Sequence, residues 1–219
     1  MKTRRESRGQ FIIIAVLLAA IMIVSIGALM HSAVTYYKHE PWEEYATLIG
    51  DIEVNSAKLV ELSLASYTNG GSPNILNENL GKWQNNLTII YPSSGIVLKF
   101  SAQPMITGLN PSATADFTLD IRSIGLSGYK FSVTTSLNVQ RITDSTPNEI
   151  TVLVKSESGQ PIPNLKTGNF EINDTTPLAV RPFYDATYVL VYKIQYQGTL
   201  PATLDVVDQR GIRATGTVS

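Results

Sequence analysis

Few residues in this chain have the type and spacing to do chemistry. The two histidines, His31 and His39, stand eight residues apart. Two ligands at that spacing do not make a metal site, and neither leaves a base for a catalytic triad further along the chain. There is no cysteine, which excludes disulfides, thiolate metal ligands and a cysteine nucleophile. Carboxylates could work in pairs, as in glycoside hydrolysis. The nearest candidates fall where acids serve the backbone: Glu43, Glu44, Asp51 and Glu53 on an expected helix, the first two at its N-terminus, and Asp205 and Asp208 flanking an expected turn. No Asp-rich calcium loop and no glycine-rich phosphate cradle is present. No catalytic, cofactor-binding or metal-ligating residue is therefore expected. Asn86-Leu87-Thr88 and Asn173-Asp174-Thr175 fit the acceptor pattern for N-glycosylation, which makes Asn86 and Asn173 candidate modification sites.

The elements that would position these residues begin with an anchor. From Phe11 to Met30 the chain runs twenty residues without a charge. As a helix this segment spans ~30 Å, the thickness of a bilayer's hydrocarbon core. It is apolar on every side, whereas a helix of a soluble domain keeps a polar face. Lys2, Arg4, Arg5 and Arg8 crowd its N-terminal edge, while the rest of the chain carries 13 Lys and Arg against 17 Asp and Glu. Cations beside a span stay on the cytoplasmic side. The reading is a cytoplasmic leader over 1–10, a transmembrane helix over 11–37, and the C-terminal domain outside the cell membrane. Tyr36, Tyr37 and Trp42 then fall at headgroup level, and both histidines become interfacial polar residues. The apolar run exceeds the usual h-region of a cleaved secretory signal, and the small pair Ser25 and Gly27 lies inside the run rather than after it.

The segment RRESRGQFIIIAVLLAAIMIVSIG resembles the leader of archaeal type IV pilins and their relatives: a basic stretch, a glycine, then a long apolar helix. The resemblance covers about 25 of the 219 residues. It implies cleavage after Gly9, with Gln10 as the mature N-terminus. Ile14 stands where many bacterial pilins have a glutamate, a residue that archaeal members often lack.

Beyond Pro41 a helical stalk is expected over 42–67, closed by Asn69, Gly70, Gly71 and Pro73. Tyr45, Leu48, Ile52, Asn55, Leu59, Leu62 and Ser66 recur at spacings of three and four. They predict one stripe, to be covered by the chain's own domain or by the same helix of a neighbour. After a polar loop, residues 83–219 turn to short β-branched and aromatic segments separated by turn formers. These predict ten strands, from Leu87–Tyr91 and Ile96–Ser101 through Ile212–Val218, and an antiparallel sandwich. EITVLVKSESGQPIPNLKTGNFEIN, with a turn at Gly159 to Pro161, resembles the early strands of immunoglobulin-like repeats. TLDVVDQRGIRATGTVS, with a turn at Asp208 to Gly211, is similar to their closing hairpin. A sub-boundary near 146 would divide two β modules.

The fold expected is mainly β: a transmembrane helix, a helical stalk, then an antiparallel immunoglobulin-like β-sandwich. The expected function is a non-catalytic surface interaction or structural module. One alternative is a type IV pilin-like filament subunit, and a second is an extracytoplasmic hydrolase using carboxylates. Expected partners are the lipid bilayer and, through the membrane helix and stalk, the chain itself or other envelope or pilus subunits. A net charge of -1 gives no attraction to nucleic acid.

Overall fold

The computed structural model describes residues 20–31, 42–142, 148–187 and 189–219. The leader, most of the expected span, the aromatics Tyr36 and Tyr37, His39 and Pro41 lie outside the described residues. The chain divides into two units, residues 1–49 and 50–219.

In the first unit, residues 20–31 form a helix (α1) that is exposed throughout. Among the described residues no helix is long and apolar enough to cross a membrane. The helix α2 (Trp42–Thr68) carries the chain into the second unit, followed by α3 (Ile75–Ile90). The strands are β1 (Ile96–Ala102), β2 (Ser112–Ile121), β3 (Leu126–Ile142), β4 (Glu149–Ser156), β5 (Phe170–Ile172), β6 (Ala179–Tyr184), β7 (Leu190–Gln195), β8 (Ala202–Val207) and β9 (Arg213–Val218).

Every strand pair is antiparallel, in a six-stranded sheet of order β1-β2-β3-β4-β7-β6 and a three-stranded sheet of order β5-β8-β9. Through β3 and β4 the larger sheet is continuous. Period-2 alternation dictates which side of it is apolar. The register places Leu98 beside Leu119, Phe100 beside Phe117 and Phe117 beside Phe131, and the last two rings stack at 4.8 Å. Further along, the same face carries Val139 beside Val154, Val152 beside Tyr192 and Ile150 beside Ile194.

Two different covers close this face. Over β1 to β3 lie α2 and α3: Tyr129 on β3 donates to Glu53 on α2 at 2.7 Å. Over β4 and β7 lies the smaller sheet, whose Phe170 ring sits 5.5 Å from that of Tyr192. Its inner side is Phe170, Ile172, Ala202, Leu204, Val206, Ala214 and Val218, all buried. Gly216 belongs to the same side, and a Cβ there would meet Leu109 Cγ at 2.6 Å. The result is mainly β and sandwich-like, as expected, with a helical hairpin completing the second layer. The turn expected at Asp208 to Gly211 forms, with Gly211 N–H donating to Asp208 O at 3.1 Å, whereas the one expected at Gly159 to Pro161 lies earlier, with Gly159 N–H donating to Ser156 O at 2.9 Å. Each of these glycines has positive φ, 74° and 82°, where a Cβ is strained.

Two expectations need correction. The strand expected over Leu87–Tyr91 is instead the last turn of α3 and its C-cap. The run Leu-Thr-Ile-Ile-Tyr is β-branched, but the buried Leu76, Leu80 and Leu87 repeat at helical spacing. The stripe of α2 is also rotated. Ile52, Ser56, Val60, Ser63 and Leu64 are the buried residues there, while Leu62 is 47% exposed and Asn55 and Ser66 face solvent. Counting only apolar side chains missed two serines. Ser56 accepts Trp83 Nε1–H at 3.2 Å and Ser63 accepts Asn79 Nδ2–H at 3.0 Å, so α3 lies against this side. Asn55 donates to Asp51 O at 2.8 Å and is not an inner residue.

Candidate functional site

The described part of the apolar run is the region most lacking internal partners. On α1, Ile21, Met22, Ile23, Val24, Ile26, Leu29 and Met30 are each more than half exposed. A helix surrounded by water cannot hold seven such side chains without penalty, since each buries ~1.5–3 kcal/mol of transfer free energy when covered. His31, at the end of this helix, is exposed. Gly9 and Gln10, the expected processing site, lie outside the described residues.

Several carboxylates of the second unit have structural partners. Glu53 accepts the Tyr129 hydroxyl, and that bond holds the phenol's pKa above its ordinary value. Asp208 is buried, with Oδ1 accepting Arg210 N–H at 2.9 Å and Ile212 N–H at 3.0 Å. It locks its turn by the backbone mechanism that makes Asp common there. Asp205, also buried, accepts the Thr215 hydroxyl. Asp51 is exposed. Among the described residues no three acids or histidines converge as a metal site would require.

The densest polar cluster surrounds Arg210, which sequence reading passed over. Its Nε donates to Asp208 Oδ2 at 2.8 Å, Nη1 to Glu157 Oε2 at 2.7 Å and Thr135 Oγ1 at 3.1 Å, and Nη2 to Ser136 O at 2.8 Å. Most of the guanidinium's five donors are thus committed inside the fold. Burial works against the charged forms of Arg210 and Glu157, but their mutual pairing, joined by Asp208 at the arginine and by backbone N–H groups at the carboxylate, outweighs it, raising the arginine's pKa and lowering the carboxyl's. Only the Asp-Gln-Arg-Gly turn hinted at this lock, because its other partners, Thr135 and Glu157, are remote in sequence.

Beside it an open groove of about 370 Å³ runs between α2 and β3, lined by Val54, Lys58, Glu61, Val133 and Thr135 among others. Lys58 is already paired with Glu61, so the groove presents no convergent unpaired charge.

The fold treats the two glycosylation triplets differently. Asn86 is exposed on α3, next to the fully buried Leu87, and the Thr88 hydroxyl is spent on Asn85 O at 2.7 Å. Asn173 and Asp174 are the two residues of a tight turn after β5, with φ of 50° and 59°, the primed-turn conformation that Asn and Asp tolerate. Asn173 Oδ1 accepts Thr203 N–H at 2.9 Å. Its Nδ2, the atom a glycan would join, donates to nothing among the described residues.

No protein-family model matches this chain, no curated protein matches it significantly, and no solved structure matches its fold significantly.

Proposed function

We propose that this protein is a single-pass, membrane-anchored surface module, with its N-terminus in the cytoplasm and its β domain outside the cell. The observation that carries the reading is α1: seven large apolar side chains, each more than half exposed, within an uncharged run of bilayer length from Phe11 to Met30. The basic residues before the run set the orientation. The second unit acts as an interaction or structural domain, and its immunoglobulin-like character rests on the two hairpin motifs and on the antiparallel two-sheet packing. A non-catalytic role is favoured because Glu53, Glu157, Asp205 and Asp208 are occupied in turns and hydrogen bonds.

A second reading, a type IV pilin-like subunit, is favoured by Arg8-Gly9-Gln10 immediately before the apolar run. The measurement that separates the two is the mature N-terminus of the protein from native membranes, by mass spectrometry. Gln10 as first residue makes the filament reading the leading one. Retention of residues 1–9 leaves the simple anchor, and a start beyond Met30 removes the anchor itself.

A further inference from the structure

The long strand β3 has neighbours on both sides only in its second half. Its register with β2 runs unbroken from Tyr129 to Ser136, whereas β4 pairs with it only from Leu137 onward. Leu137 N–H donates to Pro111 O at 3.0 Å and Val139 N–H to Leu109 O at 2.9 Å. Odd-numbered residues of β3 thus turn their backbone groups to the β2 side, and even-numbered ones to the other. On that other side Ser136 N–H ends on Glu157 Oε2 at 3.4 Å. The N–H and C=O groups of Lys130, Ser132 and Thr134 point the same way, and no described strand lies along them. All three residues are exposed. The groove beside α2 opens onto this edge, lined by Val133 and Thr134 as well as by Val54, which is 69% exposed. Open edges are ordinarily blunted against pairing. At the end of the same sheet β6 carries Pro182, which has no N–H to offer. The β3 edge has no proline, and Lys130 is its one charge.

We infer that two copies of this chain join edge to edge along β3, antiparallel, with Ser132 of each copy at the two-fold axis. The inference goes beyond the reading above and stands on the β domain alone, anchored or not. Three features select a second copy as the occupant. First, in this register Ser132 faces Ser132 and Lys130 faces Thr134, so each outward N–H of the three residues meets a C=O and none is left over. Between them Phe131 faces Val133 of the other copy, an aromatic and β-branched pair of the kind that stabilises a sheet. Second, the two Lys130 side chains stand ~14 Å apart along the seam, beyond the ~8–10 Å over which like charges repel in salt. A slip that set them opposite each other is disfavoured. Third, the ends of the edge are complementary in charge. Lys130 has no ion pair among the described residues, and antiparallel pairing brings it within reach of Glu157 of the other copy, whose side chain is 39% exposed. An unrelated extended peptide would satisfy the backbone but supplies neither of the last two.

The absence of cysteine makes a direct test clean. Single-cysteine variants of the full chain, purified in mild detergent, are oxidised gently and the cross-linked dimer is followed on non-reducing gels. Ser132→Cys is expected to cross-link roughly tenfold or more faster than Thr134→Cys, because only a residue on the axis meets itself within the ~4.4–6.8 Å Cα separation that a disulfide allows. Lys130→Cys and Thr134→Cys chains should cross-link when mixed, faster than either alone. Ser132→Pro removes an N–H that the β2 ladder does not use, so light scattering should show a monomer with circular dichroism unchanged. If that variant does not fold, Lys130→Glu, which sets carboxylates together at each end of the seam, should weaken the dimer roughly tenfold at low salt. Equal cross-linking at 132 and 134 removes the register and overturns the inference. So does a wild-type chain that stays monomeric without a cross-link at 132, or a dimer that survives Ser132→Pro. Hydrogen-exchange protection of residues 130–134 that appears only with a different protein bound assigns the edge to that protein and overturns it as well. None of these outcomes bears on the anchored reading, which the mature N-terminus tests.

Discussion

The two covers of the six-stranded sheet solve the same problem with different chemistry. Over β4 and β7 the smaller sheet lays aliphatic and aromatic side chains directly on their counterparts, and the Tyr192 hydroxyl of β7 donates to Ile162 O at 2.7 Å and accepts Leu165 N–H at 3.2 Å. The helical cover over β1 to β3 instead mixes leucines with serines. Ser56 and Ser63 are fully buried and satisfied by the side chains of α3. A sheet face alternates strictly, so burying one residue in two leaves the other free to be polar. A helix wedged between a second helix and a sheet needs small residues where its neighbour approaches, and serine meets that need only if its hydroxyl finds a partner.

If the two covers belong to one cooperative unit, a cavity in either must lower the same unfolding transition. Phe170→Ala, in the sheet cover, is expected to cost ~3–5 kcal/mol and Leu80→Ala, in the helical cover, ~2–5 kcal/mol. Urea unfolding followed by circular dichroism and by tryptophan fluorescence should give coincident curves for both variants. Separated curves would split the unit into independent halves.

The covers meet at the 208–211 turn, which touches the turn just after α2 through Asn69 Nδ2–H to Gly211 O at 2.8 Å and β3 through Arg210. Arg210→Met leaves Asp208 buried without its cation and should cost ~2 kcal/mol, reduced from the fully buried case because the arginine is partly in water. The same lock has a pH signature. The folded pKa of Glu157 is lowered, so its contribution is fully present above the unfolded value, near ~4.3, and is lost as pH falls through the folded one. Glu157→Gln should therefore flatten the acid limb of a stability profile measured below about pH 4.3. An unchanged limb would mean that the pair contributes nothing.

Smaller effects sharpen the contrast further. Ser63→Ala strands the Asn79 amide and should cost ~1 kcal/mol, whereas Leu62→Ala, one residue away and about half exposed, should fall within about ±0.5 kcal/mol; equal losses in thermal unfolding would put the stripe back where periodicity alone placed it. The least energetic test compares the glycosylation triplets, one on each cover. If the domain lies outside the cell as proposed, Asn173 should carry the glycan and Asn86 should not, read by glycopeptide mass spectrometry of protein from its native source. A glycan on Asn86 alone would contradict the assignment of free and committed groups in the helix and the turn.

What could be read beforehand depended on how local its cause was. Alternation in Phe117, Leu119 and Ile121 named β2 and its buried side, because a strand's faces are fixed by backbone geometry whatever lies above them. Gly159, Asp208 and Gly211 announced their turns through conformations that few residues tolerate. The run Leu-Thr-Ile-Ile-Tyr misled, since β-branched preference is weak beside the burial of Leu76, Leu80 and Leu87 at helical spacing. The side that α2 buries was decided by Trp83 and Asn79, more than fifteen residues away from the serines they reach. Arg210 likewise became a lock only when folding brought Thr135 and Glu157 to it. Composition and period sufficed for the apolar run, the antiparallel β class and its turns. Which polar groups are buried, and which apolar ones stay exposed, was fixed by long-range contacts, because the burial of a side chain is a property of its neighbours in space.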